Sequence, residues 1–183
     1  VFMDSDKAWD LGYTGEGMVI AVIDTGTDVN HEAFMGDIEN PKYTKEELNE
    51  LIGNLELSAK GVTSADVVYH SEKIPYAFDY AGNDSYAYYA GLDHGTHVAG
   101  IIGGKDEVIS GVAVNTQLVL MKVFGDINNG AIQDDILAAL EDAILLGVDA
   151  INLSLGTACG FSRSSDNEYI NVVYDNIEAA GIS

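Results

Sequence analysis

The sequence predicts an α/β protein in which helices wrap a parallel β-sheet. Strand patterns and helix patterns alternate along the chain, which is typical of parallel sheets. Short apolar runs at residues 18–24 and 117–124 end in polar turns, as buried parallel strands do. The chain of 183 residues is 47% hydrophobic, with 2 prolines, so one domain with a real core is expected.

The first strand and the first long helix are predicted from local patterns. Residues 18–24, Met-Val-Ile-Ala-Val-Ile-Asp, form a continuous apolar run that ends at a carboxylate. Residues 44–60 are predicted to form an amphipathic helix, because apolar residues recur at helical spacing. Thr44 and Glu47 are spaced as a capping box, which places the start of this helix.

Three further elements follow in the central part of the chain. Residues 73–80 alternate as a strand does, and Pro75 favours the edge of a sheet or the start of a strand. A helix is predicted to begin near His94. Residues 117–124 predict a second buried strand.

The last elements continue the same alternation. Residues 131–147 predict a helix that ends at Gly147, where glycine is favoured after a helix. Residues 148–156 predict a third buried strand, and a final helix is capped by Ser165. The closing residues 181–183 resemble the start of another strand.

The composition excludes some classes of partner. The formal net charge is −22, with 8 lysines and arginines in all, which argues against a nucleic-acid partner. A solvated acidic surface explains this charge, and carboxylates that bind calcium are the more specific alternative. The apolar runs are too short to span a bilayer, and the single Cys159 precludes an internal disulfide.

Asp24 and His94 are the candidate catalytic residues. Asp24 ends the first predicted strand and precedes Thr-Gly-Thr-Asp, at the sheet edge where ligands of open α/β sheets gather. A turn aspartate that bonds its own backbone is the structural alternative. His94 near a helix start acts as a general base at neutral pH if a carboxylate holds its other nitrogen.

The stretch His-Gly-Thr-His also raises a metal hypothesis. His94 and His97 with a nearby aspartate could bind zinc, but the spacing and the absence of an intervening glutamate differ from the helical zinc motif. We therefore expect no metal in the catalytic site. His97 is predicted to be a buried, hydrogen-bonded structural residue.

Three motifs occur in a fixed order: Ile-Asp-Thr-Gly at residues 23–26, His-Gly-Thr-His-Val-Ala-Gly at residues 94–100, and Ser-Leu-Gly at residues 154–156. In this order they closely resemble the subtilisin-like serine proteases. The resemblance implies a three-layer subtilisin-like fold with a parallel sheet, incomplete in this chain, of which residues 1–183 would be the N-terminal part. A longer segment at about 35–91 resembles the branch of C5a peptidases and lactocepins and implies an insertion.

The resemblance also implies roles for particular residues. Asp24 matches the catalytic aspartate and His94 the catalytic base, while His97 matches the structural histidine. The strands that pair with an extended polypeptide substrate would be lined by Gly130, Ser154, Leu155 and Gly156.

Several parts that the resemblance requires are missing from the sequence. It has no Gly-Thr-Ser-Met-Ala-x-Pro segment for the nucleophile and no asparagine for the oxyanion hole. A second or downstream chain is therefore expected to supply both, and residues 1–183 alone are expected to be inactive. Ala33 stands where the family has a calcium-binding aspartate. The chemistry requires no cofactor, and the resemblance leaves room for a structural calcium ion.

The implied activity is that of a secreted or cell-surface endopeptidase, and two alternatives remain. One is a catalytically inactive relative that serves as a binding or scaffold module. The other is an actin-like ATPase domain, since Val-Ile-Asp-Thr-Gly-Thr-Asp also resembles a phosphate-binding loop. A mutation of His94 separates the first alternative from the enzyme, and nucleotide-dependent thermal stabilisation tests the second.

Overall fold

The computed structural model describes residues 4–88, 91–127, 130–156 and 168–183. Its centre is a four-stranded sheet in which all pairings between neighbouring strands are parallel, as predicted. The strands are β1 (Val19–Asp24), β2 (Tyr76–Asp79), β3 (Gln117–Lys122) and β4 (Ala150–Asn152), in the spatial order β2-β3-β1-β4. The helices in these ranges are α1 (Ser5–Asp10), α2 (Lys45–Gly53), α3 (His94–Gly103), α4 (Gln133–Leu145) and α5 (Glu168–Ala179).

The helices cover both faces of the sheet, which gives three layers. Alternate residues of β1 point to opposite faces. Ala21 and Ile23 belong to the core formed with α2, α4 and α5, whereas Val22 belongs to the core formed with Ala99 of α3. The predicted α/β fold with a parallel sheet is therefore confirmed.

The register of the sheet brings three charged side chains together at one edge. Asp24 of β1 pairs with Lys122 of β3, and Lys122 pairs with Asp79 of β2. Residues paired in this way point to the same face of a parallel sheet. All three are buried at the carboxyl ends of their strands, on the face that α3 covers.

The predicted boundaries differ most from the structure for α2 and β4, and β2 begins at Tyr76 rather than at residue 73. α2 begins after Thr44 with the predicted capping box, but it ends at Gly53 rather than at residue 60. The backbone at residues 58 and 59 bonds a carboxylate of α4 instead of continuing the helix. β4 covers only Ala150–Asn152, so residues 153–156 lie beyond the strand that was predicted to contain them.

The outer edges of the sheet follow the sequence patterns. β2, which Pro75 precedes, is an edge strand in the described sheet, as predicted. On the other side, the N–H of Ile151 donates to the carbonyl of Ser183 at 2.8 Å, and the N–H of Ser183 donates to Asp149 at 3.2 Å. Ser183 thus pairs with β4 as the start of a further strand would. Ser165, the predicted cap of the last helix, lies outside the described residues.

The segment at about 35–91 is built into the core. Leu48 and Ile52 of α2 and Tyr76 and Phe78 of β2 are each at most 1% exposed. These side chains belong to the same apolar cluster as α4. That this segment is an insertion relative to the family remains a prediction.

A buried carboxylate joins this segment to α4. The Asp142 side chain accepts the N–H groups of Ser58 at 2.7 Å and Ala59 at 2.9 Å. It also accepts the hydroxyl of Tyr80 at 2.9 Å, and the Tyr80 hydroxyl lies 3.1 Å from that of Tyr76. Burial raises the pKa of Asp142, while these donors act in the opposite direction.

Asp142→Asn should loosen the turn at residues 58–59. The side-chain nitrogen of the new asparagine cannot accept a hydrogen bond, so it would face the N–H of Ala59 and the Tyr80 hydroxyl as a third donor. We expect the free energy needed to open this turn to fall by about 2 kcal/mol, which makes amide exchange there roughly thirtyfold faster. Hydrogen–deuterium exchange of the protein that carries these residues measures it. Glu141→Gln, at the exposed neighbouring position, is the control, and equal exchange in both variants would contradict the role of Asp142.

Candidate active site

Asp24 and His94 form a hydrogen-bonded pair, although 70 positions separate them in the sequence. Asp24 is the last residue of β1, and His94 is the first residue of α3. Nδ1 of His94 lies 2.8 Å from Oδ1 of Asp24. The carboxyl end of a central strand and the start of a helix therefore place the two side chains against each other.

The backbone between these elements is packed so closely that glycine is required. Gly26 has a φ of +105°, a conformation that side chains disfavour. A Cβ at Gly95 would collide with the carbonyl oxygen of Gly26 and would lie 3.2 Å from Cβ of Asp24. The glycine of His-Gly-Thr-His thus lets the start of α3 approach the turn after β1.

Two threonines attach this turn to the helix. The N–H of Gly95 donates to Oγ1 of Thr25 at 3.0 Å, and the N–H of Asp28 donates to Oγ1 of Thr96 at 2.9 Å. The N–H of Thr25 also donates to Oδ1 of Asp24 at 2.6 Å. Asp24 thus bonds its own turn, as the structural alternative predicted, and holds His94 at the same time.

Burial differs sharply between the two partners. The Asp24 side chain is 1% exposed, whereas that of His94 is 55% exposed. An ionised carboxylate only accepts hydrogen bonds, so a neutral His94 bonded to Asp24 carries its proton on Nδ1 and leaves Nε2 as an acceptor. Oδ2 of Asp24 is buried and has no hydrogen-bond partner among the described residues. The pair presents a proton acceptor to solvent and keeps the orienting carboxylate in the interior.

The prediction for His97 is wrong. Its side chain is exposed and was expected to be buried and hydrogen-bonded. His97 lies one turn after His94 on α3, and it lines a surface groove instead of the core. In the described ranges, histidine, cysteine, aspartate and glutamate side chains form no group of three or more that could hold a metal ion.

The four predicted substrate-binding residues lie at the same edge of the sheet as Asp24. Gly130 follows β3 in a loop where its carbonyl accepts the N–H of Gly125 at 3.0 Å. Ser154, Leu155 and Gly156 follow β4, and Ser154 and Gly156 are exposed. Because β3 and β4 are the two neighbours of β1, the two loops leave the sheet on either side of Asp24.

Sequence reasoning missed a buried lysine beside this site. Nζ of Lys122 contacts Oδ2 of Asp79 and Oδ1 of Asp126, each at 2.8 Å, and the carbonyl of Phe124 at 2.5 Å. The Lys122 side chain is 1% exposed and packs under Gly26. Burial lowers the pKa of Lys122, but the bonds to the two carboxylates outweigh it and raise the pKa. The only signal in the sequence was a lysine at the end of an apolar strand.

Comparison with known proteins agrees with these motifs. The sequence model of the subtilase family matches residues 15–182. The chain is 36% identical over 167 residues to the PII-type proteinase of Lacticaseibacillus paracasei, covering 85% of this chain and 8% of that protein. It is 35% identical over 181 residues to the C5a peptidase of Streptococcus pyogenes serotype M3, covering 92% and 14%. It is 32% identical over 157 residues to the minor extracellular protease Vpr of Bacillus subtilis, covering 86% and 16%. The chain therefore spans a small part of the length of these relatives.

Proposed function

Because the chain belongs to the subtilase family, we propose that Asp24 and His94 are two members of the Asp-His-Ser triad of a serine endopeptidase. The observation that carries this proposal is the 2.8 Å bond between buried Asp24 and half-exposed His94. The substrate is a polypeptide, as the proteinase relatives suggest.

The geometry of the pair suits general base catalysis. With its proton on Nδ1, His94 offers Nε2 to the hydroxyl of a serine, takes its proton as the serine attacks the peptide carbonyl, and returns that proton to the leaving amine. Asp24 holds this tautomer and stabilises the imidazolium that forms. Its burial strengthens that interaction, since water does not screen it.

The nucleophile lies outside residues 1–183. These residues contain no Gly-Thr-Ser-Met-Ala-x-Pro segment, so the serine and the asparagine of the oxyanion hole belong to a second chain or to a downstream part of the polypeptide. Residues 1–183 form the N-terminal part of one catalytic domain, with an insertion at about 35–91, and are inactive by themselves.

An extended substrate lies between the two loops that flank Asp24. Gly130 lines one side, and Ser154, Leu155 and Gly156 line the other. Backbone hydrogen bonds from two such edges hold a peptide with little regard to its side chains. The exposure of Gly130, Ser154 and Gly156 supports this arrangement.

Location and cofactors follow from the same proposal. One relative is named an extracellular protease, and we place this protein in the same compartment, secreted or on the cell surface. No described helix is both long enough and apolar enough to cross a membrane. The chemistry requires no cofactor. Ala33 does not fit a calcium site, because its side chain has no oxygen and its carbonyl accepts the N–H of Lys105 at 2.8 Å.

A serine-directed fluorophosphonate tests the proposed activity. The protein that carries these residues should cleave a fluorogenic peptide, and the reagent should abolish cleavage, because it traps an activated serine. Residues 1–183 alone should show no activity, and addition of the part that carries the serine should restore it. Cleavage that survives complete modification by the fluorophosphonate would contradict the mechanism. Absence of cleavage with any peptide of a mixed library would support the non-catalytic binding module instead.

A further inference from the structure

A groove of about 860 Å³ lies along the outer side of α3, next to the candidate active site. Its lining begins at Asp93, directly before His94, and reaches Ile101 near the end of the helix. The opposite wall is formed by Glu32 and by the loop at residues 106–110. The groove therefore continues from the position of the proposed base towards the far end of α3.

Carboxylates dominate the polar part of this lining, which also includes His31 and His97. Four carboxylates face the groove, and no lysine or arginine is among the described residues that line it. Within the described part of the chain, none of the four forms an ion pair with a lysine or arginine. Hydrogen bonds from the N–H groups of Ile109 and Val108 lower the pKa of Asp106, which keeps this carboxylate ionised. The carboxylates are Asp28, Glu32, Asp93 and Asp106.

Exposed aliphatic side chains also line the groove. Val108 is 90% exposed, Ile101 55% and Ile109 40%. A patch of exposed apolar side chains with a charged rim marks an interaction site more often than an ordinary surface. A ligand that complements both parts has positive charge next to apolar side chains.

We propose that this groove binds a segment of the polypeptide substrate in which lysine or arginine stands next to an apolar residue. This inference rests on the proposed function and adds a preference for a class of sequence. The ten residues of α3 span about 15 Å, which corresponds to about four or five residues of an extended peptide. Because the groove starts beside His94, the recognised segment runs from next to the cleaved bond outwards along α3.

Binding can be measured without cleavage. The protein that carries these residues, with His94→Ala to prevent turnover, is titrated into a fluorescein-labelled octapeptide of alternating lysine and leucine, and anisotropy reports binding. We expect saturable binding that weakens as salt rises from roughly 50 to 500 mM, as the Debye length shrinks. The same peptide with glutamate in place of lysine should not bind.

A basic peptide could also be attracted non-specifically by the negative charge of the whole protein. Two double variants that change the net charge by the same amount distinguish this attraction from binding in the groove. Glu32→Gln with Asp106→Asn removes two charges from the groove, and the asparagine keeps the oxygen that accepts the turn N–H groups. Glu46→Gln with Glu50→Gln removes two exposed charges from α2. The groove variant should bind the peptide at least tenfold more weakly, and the α2 variant within twofold of the parent.

A third variant tests the contribution of the exposed aliphatic side chains of the groove. The side chain of Val108 is almost wholly exposed in the free protein, and a bound peptide would cover it. Val108→Ser removes this apolar contact and should weaken binding about threefold. Equal effects of the two double variants, or no effect of either, would overturn the proposal. The binding measurements do not depend on catalysis. If the groove does not bind the peptide, the proposed protease function is unaffected. If the fluorophosphonate test fails, the binding result is still valid.

Discussion

Replacement of His94 by alanine is expected to lower kcat for peptide cleavage by about 10⁶-fold, the loss known for subtilisin itself when its triad histidine is removed. Without the imidazole, the serine of the proposed triad loses its base, and Asp24 cannot replace it because its side chain is buried. Rates are measured with a fluorogenic peptide and the complete protein. Residual turnover should still exceed the uncatalysed reaction, because substrate binding and the oxyanion hole persist.

His70→Gln is the matched control for this experiment. His70 lies in the turn before β2, away from the Asp24–His94 pair, and its replacement should leave kcat within about twofold. Burial lowers the pKa of His70, so the residue is neutral at pH 7 and its loss removes no charge. An unchanged kcat in His94→Ala would refute the catalytic role of the Asp24–His94 pair.

Lys122→Met is expected to destabilise the carboxyl edge of the sheet by about 3–5 kcal/mol. The substitution removes the cation but leaves Asp79 buried and without its charge partner. It also frees Asp126 and the carbonyl of Phe124, which Lys122 holds in the loop that leads to Gly130. Hydrogen–deuterium exchange in peptides that cover β3 measures this loss of stability as faster exchange of the β3 amides.

Two further variants test this explanation. Adding Asp79→Asn to Lys122→Met should recover part of the lost stability, because the neutral side chain no longer buries an unpaired charge. Lys45→Met breaks the exposed pair with Asp66, which solvent screens, and should change stability far less than Lys122→Met. If Lys122→Met were as mild as Lys45→Met, the buried ion pairs would contribute nothing specific to this edge.

The local patterns of the sequence predicted most of the elements. The capping box at Thr44 and Glu47 places the start of α2, and Pro75 marks the edge strand β2, because both signals act over a few residues. The apolar runs predicted β1 and β3 because both faces of those strands are buried. The ends of α2 and β4 were misplaced, since contacts with distant residues decide where these elements stop.

The candidate site was predicted in part. Each half of the Asp24–His94 pair stands in a recognisable motif, and their pairing came from the order of those motifs, since nothing local links residues 70 positions apart. The burial predicted for His97 failed because helical spacing does not say which side of α3 faces the sheet. Lys122 was missed because its partners come from two other segments of the chain.

The sequence by itself determined that β1 ends in a carboxylate, that α3 starts with histidine, and that glycines occupy positions 26 and 95. Only the tertiary structure decided what these residues meet. Parallel register places Asp24, Lys122 and Asp79 side by side, and the close contact of Gly26 with Gly95 sets His94 over Asp24. The physical reason is that motifs arise from neighbours along the chain, whereas burial, ion pairing and grooves arise from surfaces that meet only when the layers pack.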